Sequence, residues 1–242
     1  MENRRKITEN DIIAPIPQVT KVGNLEFHLL ENLPEDFNGK DITDIDPRLI
    51  NALKMTYDSY LNERGYLKQE HLSPQANNLQ ILWDKFDSSP KTKQIVGIKN
   101  GEVVSRIRIT DEDCPAGEYI DMTKLSSGPY RESSRFIIHP NHRGVSTFKN
   151  MVAFQYHMSQ NLGQVFWTSF DATLDLYFKG DNSDTLETLT TFKMDSFAAY
   201  DSLASLQRWD IKKTQTYNQT SPDKLTKFMQ RTISTPIEIL KS

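Results

Sequence analysis

Apolar residues recur at helical spacing in the segment from Pro47 to Leu67. The positions that share one face are Leu49, Ala52, Leu53, Thr56, Tyr57, Tyr60 and Leu61. Neighbours in this set lie three or four residues apart or side by side, which is the pattern of an amphipathic helix. The segment therefore predicts a helix that ends near Gly65, followed by a loop from Lys68 to Asn78.

Two short apolar runs on either side of Asn100 and Gly101 predict a hairpin. The runs are Gln94 to Ile98 and Val103 to Ile109. Asn-Gly favours the positive φ angles that the tightest hairpin turns require. The two strands should be antiparallel neighbours, and Leu25 to Leu30 predicts a further short strand.

A strand, a tight turn and a helix are predicted in the second half of the chain. Ser133 to Ile138 has the apolar composition of a strand, and the helical pattern resumes from Phe148 to Leu162. Ser146 or Thr147 should cap this helix, and Gly163 should end it. The strand is therefore expected to feed the helix through a short turn.

The remaining patterns are weaker. We expect two further strands, a buried one at Gln164 to Phe170 and another at Leu186 to Met194. A short helix should lie between them at Ala172 to Phe178, and a last helix at Asp223 to Arg231, capped by Ser221 with Pro222 at its first position. Polar stretches without a periodic pattern are expected at Asp111 to Pro129 and, as a loop, at Lys212 to Ser221. Residues 1–24 should form a polar N-terminal extension that runs over the surface or is mobile. Residues 25–242 should form a single domain, and the element order is that of an α/β fold.

Composition excludes several classes of protein. The 242 residues carry 29 Lys and Arg against 32 Asp and Glu, a net charge of -3, so no large basic field attracts nucleic acid. The single cysteine, Cys114, cannot form an internal disulfide. The first thirty residues lack an uninterrupted apolar stretch, and no apolar run is long enough for a membrane span. We therefore expect a cytoplasmic protein without nucleic-acid or membrane partners.

The segment from Arg131 to Lys149 is the first candidate for chemistry. A strand that stops at a turn and restarts as a helix points unpaired backbone N–H groups at one spot, where the helix dipole also favours an anion. The turn carries Arg143, Gly144 and Ser146, and we predict that it binds a phosphate group.

Five charged residues fit the needs of acyl transfer from a thioester to an amine. This reaction needs a base for the ammonium form of the acceptor and donors for the developing oxyanion. Asp84, Asp87 and Glu132 offer carboxylates to an ammonium or sulfonium group, while Arg108 and Arg135 suit a carboxylate. Taken singly, each of these residue types is more often part of a structural ion-pair network than of a catalytic site.

Their order along the chain resembles that of acyl-homoserine-lactone (autoinducer) synthases and of the related N-acyl amino acid synthases, which share the GNAT acyltransferase fold. The segment from Glu132 to Phe136 resembles their Glu-x-Ser-Arg-Phe signature. Other matching segments are Trp83 to Asp87 for an Asp-x-x-Asp element, Ser105 to Ile109 for a Gly-x-x-Arg-Leu strand, and Tyr60 to Tyr66 for an aromatic pair. The turn at Arg143 resembles the GNAT Arg-x-x-Gly-x-Gly/Ala motif in part. The resemblance covers Asn51 to Gly180, and it departs from the family at Thr56 (arginine there) and Ser105 (glycine there).

This resemblance implies a GNAT-like fold, with a mixed, mostly antiparallel central sheet flanked by helices. It implies that Glu132 is a base acting through water, that Arg135 takes part in catalysis, and that Tyr177 protonates the leaving thiolate. Backbone N–H groups near Phe136 and Ile137 would polarise the thioester carbonyl. The substrate-binding residues would be Asp84, Asp87, Arg108, Phe136, Trp167 and Thr168.

The resemblance further implies a fatty acyl group delivered by acyl carrier protein or coenzyme A, with no bound cofactor. If the protein is an autoinducer synthase, the acceptor is S-adenosylmethionine, and the pair Asp84 and Asp87 favours this interpretation. If it is an N-acyl amino acid synthase, the acceptor is a free amino acid. A non-catalytic GNAT-like module and a protein acetyltransferase are further alternatives. An acidic carrier protein would be a transient partner, and the clustered Arg131, Arg135, His142, Arg143 and Lys149 would suit the docking of one.

Histidine and cysteine suggest no separate chemistry. His139, His142 and His157 have no cysteine near them, so we expect no metal site. Cys114 lies in an acidic loop that disfavours the thiolate, so we expect no nucleophilic role for it.

Overall fold

The computed structural model describes residues 15–112, 115–126, 129–162, 164–170, 185–192, 204–216 and 224–240. Within these residues, nine strands form one sheet. The strands are β1 (Val19–Val22), β2 (Leu25–Leu30), β3 (Thr92–Lys99), β4 (Glu102–Asp111), β5 (Arg131–Ile138), β6 (Gln164–Phe170), β7 (Leu186–Phe192), β8 (Ala204–Asp210) and β9 (Ile237–Ile239).

The α-helices of the described residues flank this sheet. They are α1 (Pro47–Tyr57), α2 (Pro74–Leu79), α3 (Val145–Ser159), α4 (Ile211–Thr216) and α5 (Lys224–Ile233). A π-helical turn, Asp58–Glu63, continues α1, and short 3-10 turns lie at Lys85–Ser88 and Pro115–Glu118. In the described part of the chain, no helix has both the length and the apolarity that a membrane span requires.

The strand order across the sheet is β7-β8-β6-β5-β4-β3-β2-β1-β9. Every neighbouring pair is antiparallel except β5 and β6, which are parallel and connected through α3. The expected mixed, mostly antiparallel sheet flanked by helices is therefore confirmed.

The parallel strands β5 and β6 diverge soon after they meet. Their pairing is limited to Glu132 with Phe166 and Ser133 with Trp167. Beyond these residues, neither strand supplies the other with ladder partners, although β5 continues to Ile138 and β6 to Phe170. A gap therefore opens between the carboxyl ends of the two strands.

A β-bulge interrupts β5 beside this gap. Arg106 pairs with Ile137 and Arg108 with Ser134, so two residues of β5 oppose Ile107 of β4. The first of them, Arg135, has φ +51°, a left-handed conformation that costs a non-glycine residue of the order of 1 kcal/mol. A bulge changes which face of the sheet the following side chains occupy.

Hydrophobic layers cover both faces of the sheet. On one face Phe154 of α3 stacks on Phe27 of β2, with ring centroids 4.5 Å apart. On the other face Leu53 of α1 belongs to a cluster that includes Val96 of β3. These layers hold α1 and α3 on opposite sides of the strands that carry the charged residues.

Most predicted elements are found. The hairpin around Asn100 and Gly101, the strands in β2, β5, β6 and β7, and the helices in α1, α3 and α5 agree with the predictions to within a few residues. The predicted cap of α3 is wrong, because Gly144 is the N-cap residue and no side chain caps the helix. Gly163, Ser221, Pro222 and the predicted helix from Ala172 to Phe178 lie outside the described residues.

Three segments differ from expectation. Val19–Val22, placed in the surface extension, is a strand in the sheet, with Val22 fully buried against the core below α3. α2 occupies the end of the segment predicted as a loop, where Ser73 caps it and Pro74 begins it. α4 replaces the first part of the polar loop predicted from Lys212, because the buried Ile211 and Thr214 anchor that turn.

Candidate active site

A cavity of about 510 Å³ opens where β5 and β6 diverge. Side chains from the π-helical turn after α1, from α2 and the segments on either side of it, from the 3-10 turn Pro115–Glu118 and from strands β4, β5 and β6 surround it. Its charged lining residues are Asp84, Lys85, Arg108, Glu118, Glu132 and Arg135. Four of these were predicted from the sequence as substrate-binding or catalytic residues.

Asp84 and Asp87 are fixed by the turn that they form. The Asp84 carboxylate accepts the Phe86 N–H (2.9 Å), and Asp87 Oδ2 accepts the Asp84 N–H (2.9 Å). This reciprocal cap satisfies N–H groups that a short 3-10 turn leaves unpaired. The spacing of three residues is therefore a structural requirement of the turn as well as a means of bringing two carboxylates together.

Asp84 faces the cavity and pairs with two arginines. Arg108 Nη1 donates to Asp84 Oδ1 (2.6 Å), and Arg135 Nη2 donates to Asp84 Oδ2 (2.8 Å). Burial raises the pKa of Asp84, but the charges of Arg108 and Arg135 outweigh burial and hold that pKa well below its usual value. Asp84 is therefore a carboxylate anion throughout the physiological range.

Asp87 lies behind Asp84 and does not line the cavity. Its side chain is 0% exposed, and Oδ1 accepts hydrogen bonds from Arg106, Arg108 and Gln94. These three donors are neighbouring side chains, so Asp87 holds Arg106 and Arg108 in position beneath the cavity. Direct contact with substrate, which we expected for Asp87, is not available in this arrangement.

Arg106 completes the group of charges and was missed in the sequence. It lies on β4 two residues before Arg108, and its side chain is 0% exposed. Alternate residues of a strand share a face, so the spacing of the two arginines was the available signal. The family arginine was assigned to Arg108, and no role was assigned to Arg106.

Glu132 is fully buried and contributes to the cavity wall. Its Oε2 accepts the Ala116 N–H at 2.9 Å. Ala116 belongs to the 3-10 turn Pro115–Glu118, whose Glu118 pairs with Lys85 across the cavity. Glu132 is thereby held between the sheet and a loop segment that also forms part of the cavity wall.

The bulge explains how Ser134 and Arg135, two consecutive residues, both line the cavity. In a regular strand their side chains would occupy opposite faces. Arg135 lies over the ring of Tyr60, with 4.8 Å from its guanidinium carbon to the ring centroid. This cation–π contact joins the π-helical turn to the ion-pair cluster.

The same bulge directs Phe136 away from this cavity. Phe136 packs against Phe148 and Trp167, with ring centroids 5.6 and 6.4 Å away. Trp167 also belongs to the aromatic cluster below α3, whereas Thr168 does line the cavity. Of these predicted substrate contacts, the described cavity therefore includes Thr168 but neither aromatic residue. Tyr177 lies outside the described residues.

The predicted phosphate turn lies at the amino end of α3. Gly144 is the N-cap residue, and Ser146 follows, exposed, in the first turn of the helix. Arg143 donates from both terminal nitrogens to the Glu63 carboxylate at the end of the π-helical turn. Its Nε donates to the Ile138 carbonyl (3.2 Å). A carboxylate of the protein thus pairs with the arginine expected to bind the donor.

The expected docking patch is not assembled as predicted. Arg131 and Arg135 are 1% and 5% exposed, so neither can offer its charge to a protein partner. Arg131 donates instead to Asp111 and to the Met158 carbonyl. No group of three or more potential metal ligands occurs in the described part of the chain.

The sequence matches no protein-family model and no curated protein at a significant level. Solved structures do match. A CoA-dependent acyl-homoserine lactone synthase, BjaI, determined with SAM and isopentyl-CoA, aligns over 85% of this chain and 90% of its own, with 15% identity and a TM-score of 0.53. A second CoA-dependent acyl-homoserine lactone synthase, MesI, aligns over 88% of this chain and 97% of its own, with 16% identity and a TM-score of 0.53.

Both alignments span most of each chain, so the likeness extends well beyond one motif. The chain therefore has the fold of the acyl-homoserine lactone synthases that its sequence resembles.

Proposed function

We propose that the protein is an N-acyltransferase that moves a fatty acyl group from a thioester donor to the amine of a small acceptor. The observation that carries this proposal is the cavity between β5 and β6, with Asp84, Arg108, Glu132 and Arg135 on its wall. Buried charges of both signs at a cavity are typical of sites that bind and activate a polar substrate.

Asp84 and Arg135 are suited to hold an acceptor with an amino-acid head group. The Asp84 carboxylate attracts the ammonium group, and Arg135 offers N–H donors to an α-carboxylate. The two side chains already contact each other, so an acceptor that bridges them replaces one ion pair by two. Tyr60 limits the movement of the Arg135 guanidinium from the other side.

Glu132 is the proposed base. The Ala116 N–H fixes one carboxylate oxygen, and the carboxylate takes a proton from the acceptor ammonium through a water molecule. The free amine then attacks the thioester carbonyl carbon, a C–N bond forms and the C–S bond breaks. Backbone N–H groups beside the bulge, near Phe136 and Ile137, would stabilise the oxyanion, and Tyr177 would protonate the thiolate.

The leading acceptor is S-adenosylmethionine, which would give an acyl-homoserine lactone after ring closure. The matching order of Asp84, Asp87, Arg108, Glu132 and Arg135 and the fold shared with two lactone synthases support this assignment. A lactone of this type would make the protein a source of a quorum-sensing signal.

The second candidate acceptor is a free amino acid, and the charge balance of the site favours it. The site holds three carboxylates, Asp84, Asp87 and Glu132, and three guanidinium groups, Arg106, Arg108 and Arg135. A balanced cluster has no surplus negative charge for a sulfonium ion. A zwitterionic amino acid needs none.

Mass spectrometry of organic extracts from a bacterial host expressing the protein tests this proposal. The wild type should produce an acyl-homoserine lactone or, for the second candidate, a linear N-acyl amino acid. Glu132→Gln should lower the product by about 100-fold or more while circular dichroism shows an unchanged fold. Glu102→Gln, which alters an exposed carboxylate, is the matched control and should leave the product at the wild-type level.

Two results would contradict the proposal. An N-acylated product that persists at full yield in folded Glu132→Gln would remove the assigned base. A wild-type protein that yields no N-acylated product, either in the host or with purified acyl-CoA donors and both acceptors, would favour a non-catalytic module.

A further inference from the structure

Arg106 lies one layer below the cavity and does not line it. Its Nη2 donates to Asp87 Oδ1 (2.6 Å) and to Gln94 Oε1 (3.1 Å), and its Nη1 donates to Thr56 Oγ1 (2.8 Å). A guanidinium with no exposed surface is costly to bury. Arg106 donates these three hydrogen bonds to α1, to the turn that holds Asp87 and to β3, so the position of its guanidinium is tightly specified.

Asp87 connects Arg106 to the groups that do line the cavity. Arg106 and Arg108 both donate to Asp87 Oδ1, and the Asp84 N–H donates to Oδ2. Arg108 Nη1 is in turn shared between Asp87 (3.1 Å) and Asp84 (2.6 Å). The position of Arg108 between the two carboxylates therefore depends on how much of the Asp87 charge Arg106 already balances.

We propose that Arg106 is a positioning residue for the acceptor site, which balances the buried Asp87 so that Arg108 and Arg135 remain on Asp84 at the cavity wall. Without Arg106, the one charged partner that Asp87 keeps among the described residues is Arg108. Arg108 is then drawn towards Asp87, and Asp84 loses part of its compensation. This role rests on the proposed function for its effect on activity, but the rearrangement of the ion pairs is a property of the protein alone.

The titration of Asp84 reports this rearrangement without any substrate. The charged groups around Asp84 are Arg106 and Arg108 from β4, Arg135 from β5, and Lys85 and Asp87 from its own turn, with Glu132 of β5 and Glu118 on the wall of the same cavity. Weaker contact with Arg108 removes a positive charge from its surroundings. The pKa of Asp84 must therefore rise.

The test follows the ¹³C carboxyl signal of Asp84, assigned with Asp84→Asn, in protein labelled at aspartate. Arg106→Met should raise the Asp84 titration midpoint by about one pH unit or more relative to wild type. Arg106→Lys keeps the positive charge but cannot make all the hydrogen bonds of the guanidinium. Its Asp84 midpoint should therefore lie between those of wild type and Arg106→Met. Arg131→Met removes another buried arginine, which pairs with Asp111 outside the cavity, and should leave the Asp84 midpoint unchanged.

Thr56→Val provides a milder variant in case Arg106→Met does not fold. It removes the hydroxyl that accepts from Arg106 Nη1 and retains the size of the side chain. The Asp84 midpoint should move in the same direction by a smaller amount. An unchanged midpoint in folded Arg106→Met, or in Thr56→Val where Arg106→Met is unfolded, would overturn the proposal.

The activity arm uses the N-acylated product found in host extracts. Arg106→Met should lower its yield by about tenfold, with Arg106→Lys intermediate and Arg131→Met close to wild type at equal levels of folded protein. A yield that falls equally in Arg106→Met and Arg131→Met would assign Arg106 a structural role only. Absence of product from the wild type would contradict the proposed function, while the Asp84 titration would still decide the role of Arg106.

Discussion

Asp84 and Asp87 show how two identical residues three positions apart come to differ. Both cap the same turn, but Asp84 keeps 17% of its side chain exposed at the cavity, whereas Asp87 has 0%. The difference arises because Asp87 points beneath the turn, towards Arg106 and Gln94. The Asp84 carboxylate is open to the cavity, and the Asp87 carboxylate holds Arg106 and Arg108 in place.

The depressed pKa of Asp84 predicts a stability effect at low pH. The folded state holds the Asp84 anion more tightly than the unfolded chain, so this stabilisation is present above the unfolded pKa of about 3.9 and is lost as the pH falls further. Asp84→Asn should reduce the free energy of unfolding by about 3 kcal/mol at neutral pH. The difference from wild type should shrink below about pH 4, as measured by urea unfolding at a series of pH values.

Asp44→Asn, which changes an exposed aspartate, is the control and should give a curve parallel to that of wild type at every pH. A constant difference between wild type and Asp84→Asn from neutral pH down to acid would contradict the ion-pair interpretation.

The charged residues of the site were predictable, but their layering was not. The order of Asp84, Asp87, Arg108, Glu132 and Arg135 was sufficient to predict that they meet. Which of them reach the cavity depends on the bulge in β5, which places Arg135 in the wall and turns Phe136 away. A bulge depends on pairing between distant strands, so no local pattern in the segment Ser133 to Ile138 predicts it.

The π-helical turn links the two halves of the proposed site at the level of elements. Tyr60 contacts Arg135 at the acceptor cavity, and Glu63, at the end of the same turn, pairs with Arg143 at the amino end of α3. Short π-helical segments often occur at functional sites. Binding of a phosphate by Arg143 must displace Glu63. Since Glu63 and Tyr60 belong to the same π-helical turn, this displacement would change the position of the turn that contacts Arg135.

Competition between Glu63 and the donor predicts opposite effects for two variants. Glu63→Gln should lower the KM for an acyl-CoA donor by about threefold, because an exposed ion pair contributes less than about 1 kcal/mol. Arg143→Gln should raise the same KM. Steady-state kinetics with the acceptor at saturation provide the measurement, and Glu35→Gln, at an exposed position, is the control. An increased KM in Glu63→Gln would show that Glu63 supports donor binding.

Secondary-structure elements were predicted correctly where the residues of a short segment by themselves favour one backbone conformation. Asn100 and Gly101 both have positive φ, which explains why the hairpin was predicted correctly. β1 was missed because its four residues make a strand only by pairing with β2 and β9. β8 was missed because its burial pattern departs from strict alternation, with Leu206 and Gln207 both buried.

The charge distribution of the whole molecule bears on the donor. The net charge is -3, and the structure limits the positive charge that four of the five residues suited to a docking patch can offer. Arg131 and Arg135 are buried, Arg143 pairs with Glu63, and His142 lies 3.8 Å from the Glu102 carboxylate. An acidic carrier protein would therefore meet little complementary charge from this group of residues.

This distribution predicts a preference for coenzyme A over carrier protein as the donor. With the same acyl chain on each, kcat/KM should be at least about tenfold higher for acyl-CoA, since electrostatic steering changes association rates by 10-fold or more. Adding salt should change the carrier-protein rate little. A faster, steeply salt-dependent reaction with the carrier protein would contradict the prediction and indicate a basic surface elsewhere on the molecule.

The short contact between β5 and β6 has a consequence for the stiffness of the protein. Glu132 with Phe166 and Ser133 with Trp167 are the ladder pairs that join the strands from β9 to β5 with those from β6 to β7. Elsewhere along this line the two parts of the sheet are bridged by side chains and helices, so fewer ladder pairs resist hinging here than at any other described boundary between neighbouring strands. A ligand in the gap would contact both parts of the sheet at once and fill the space between them. Binding of a substrate would therefore also stiffen the sheet.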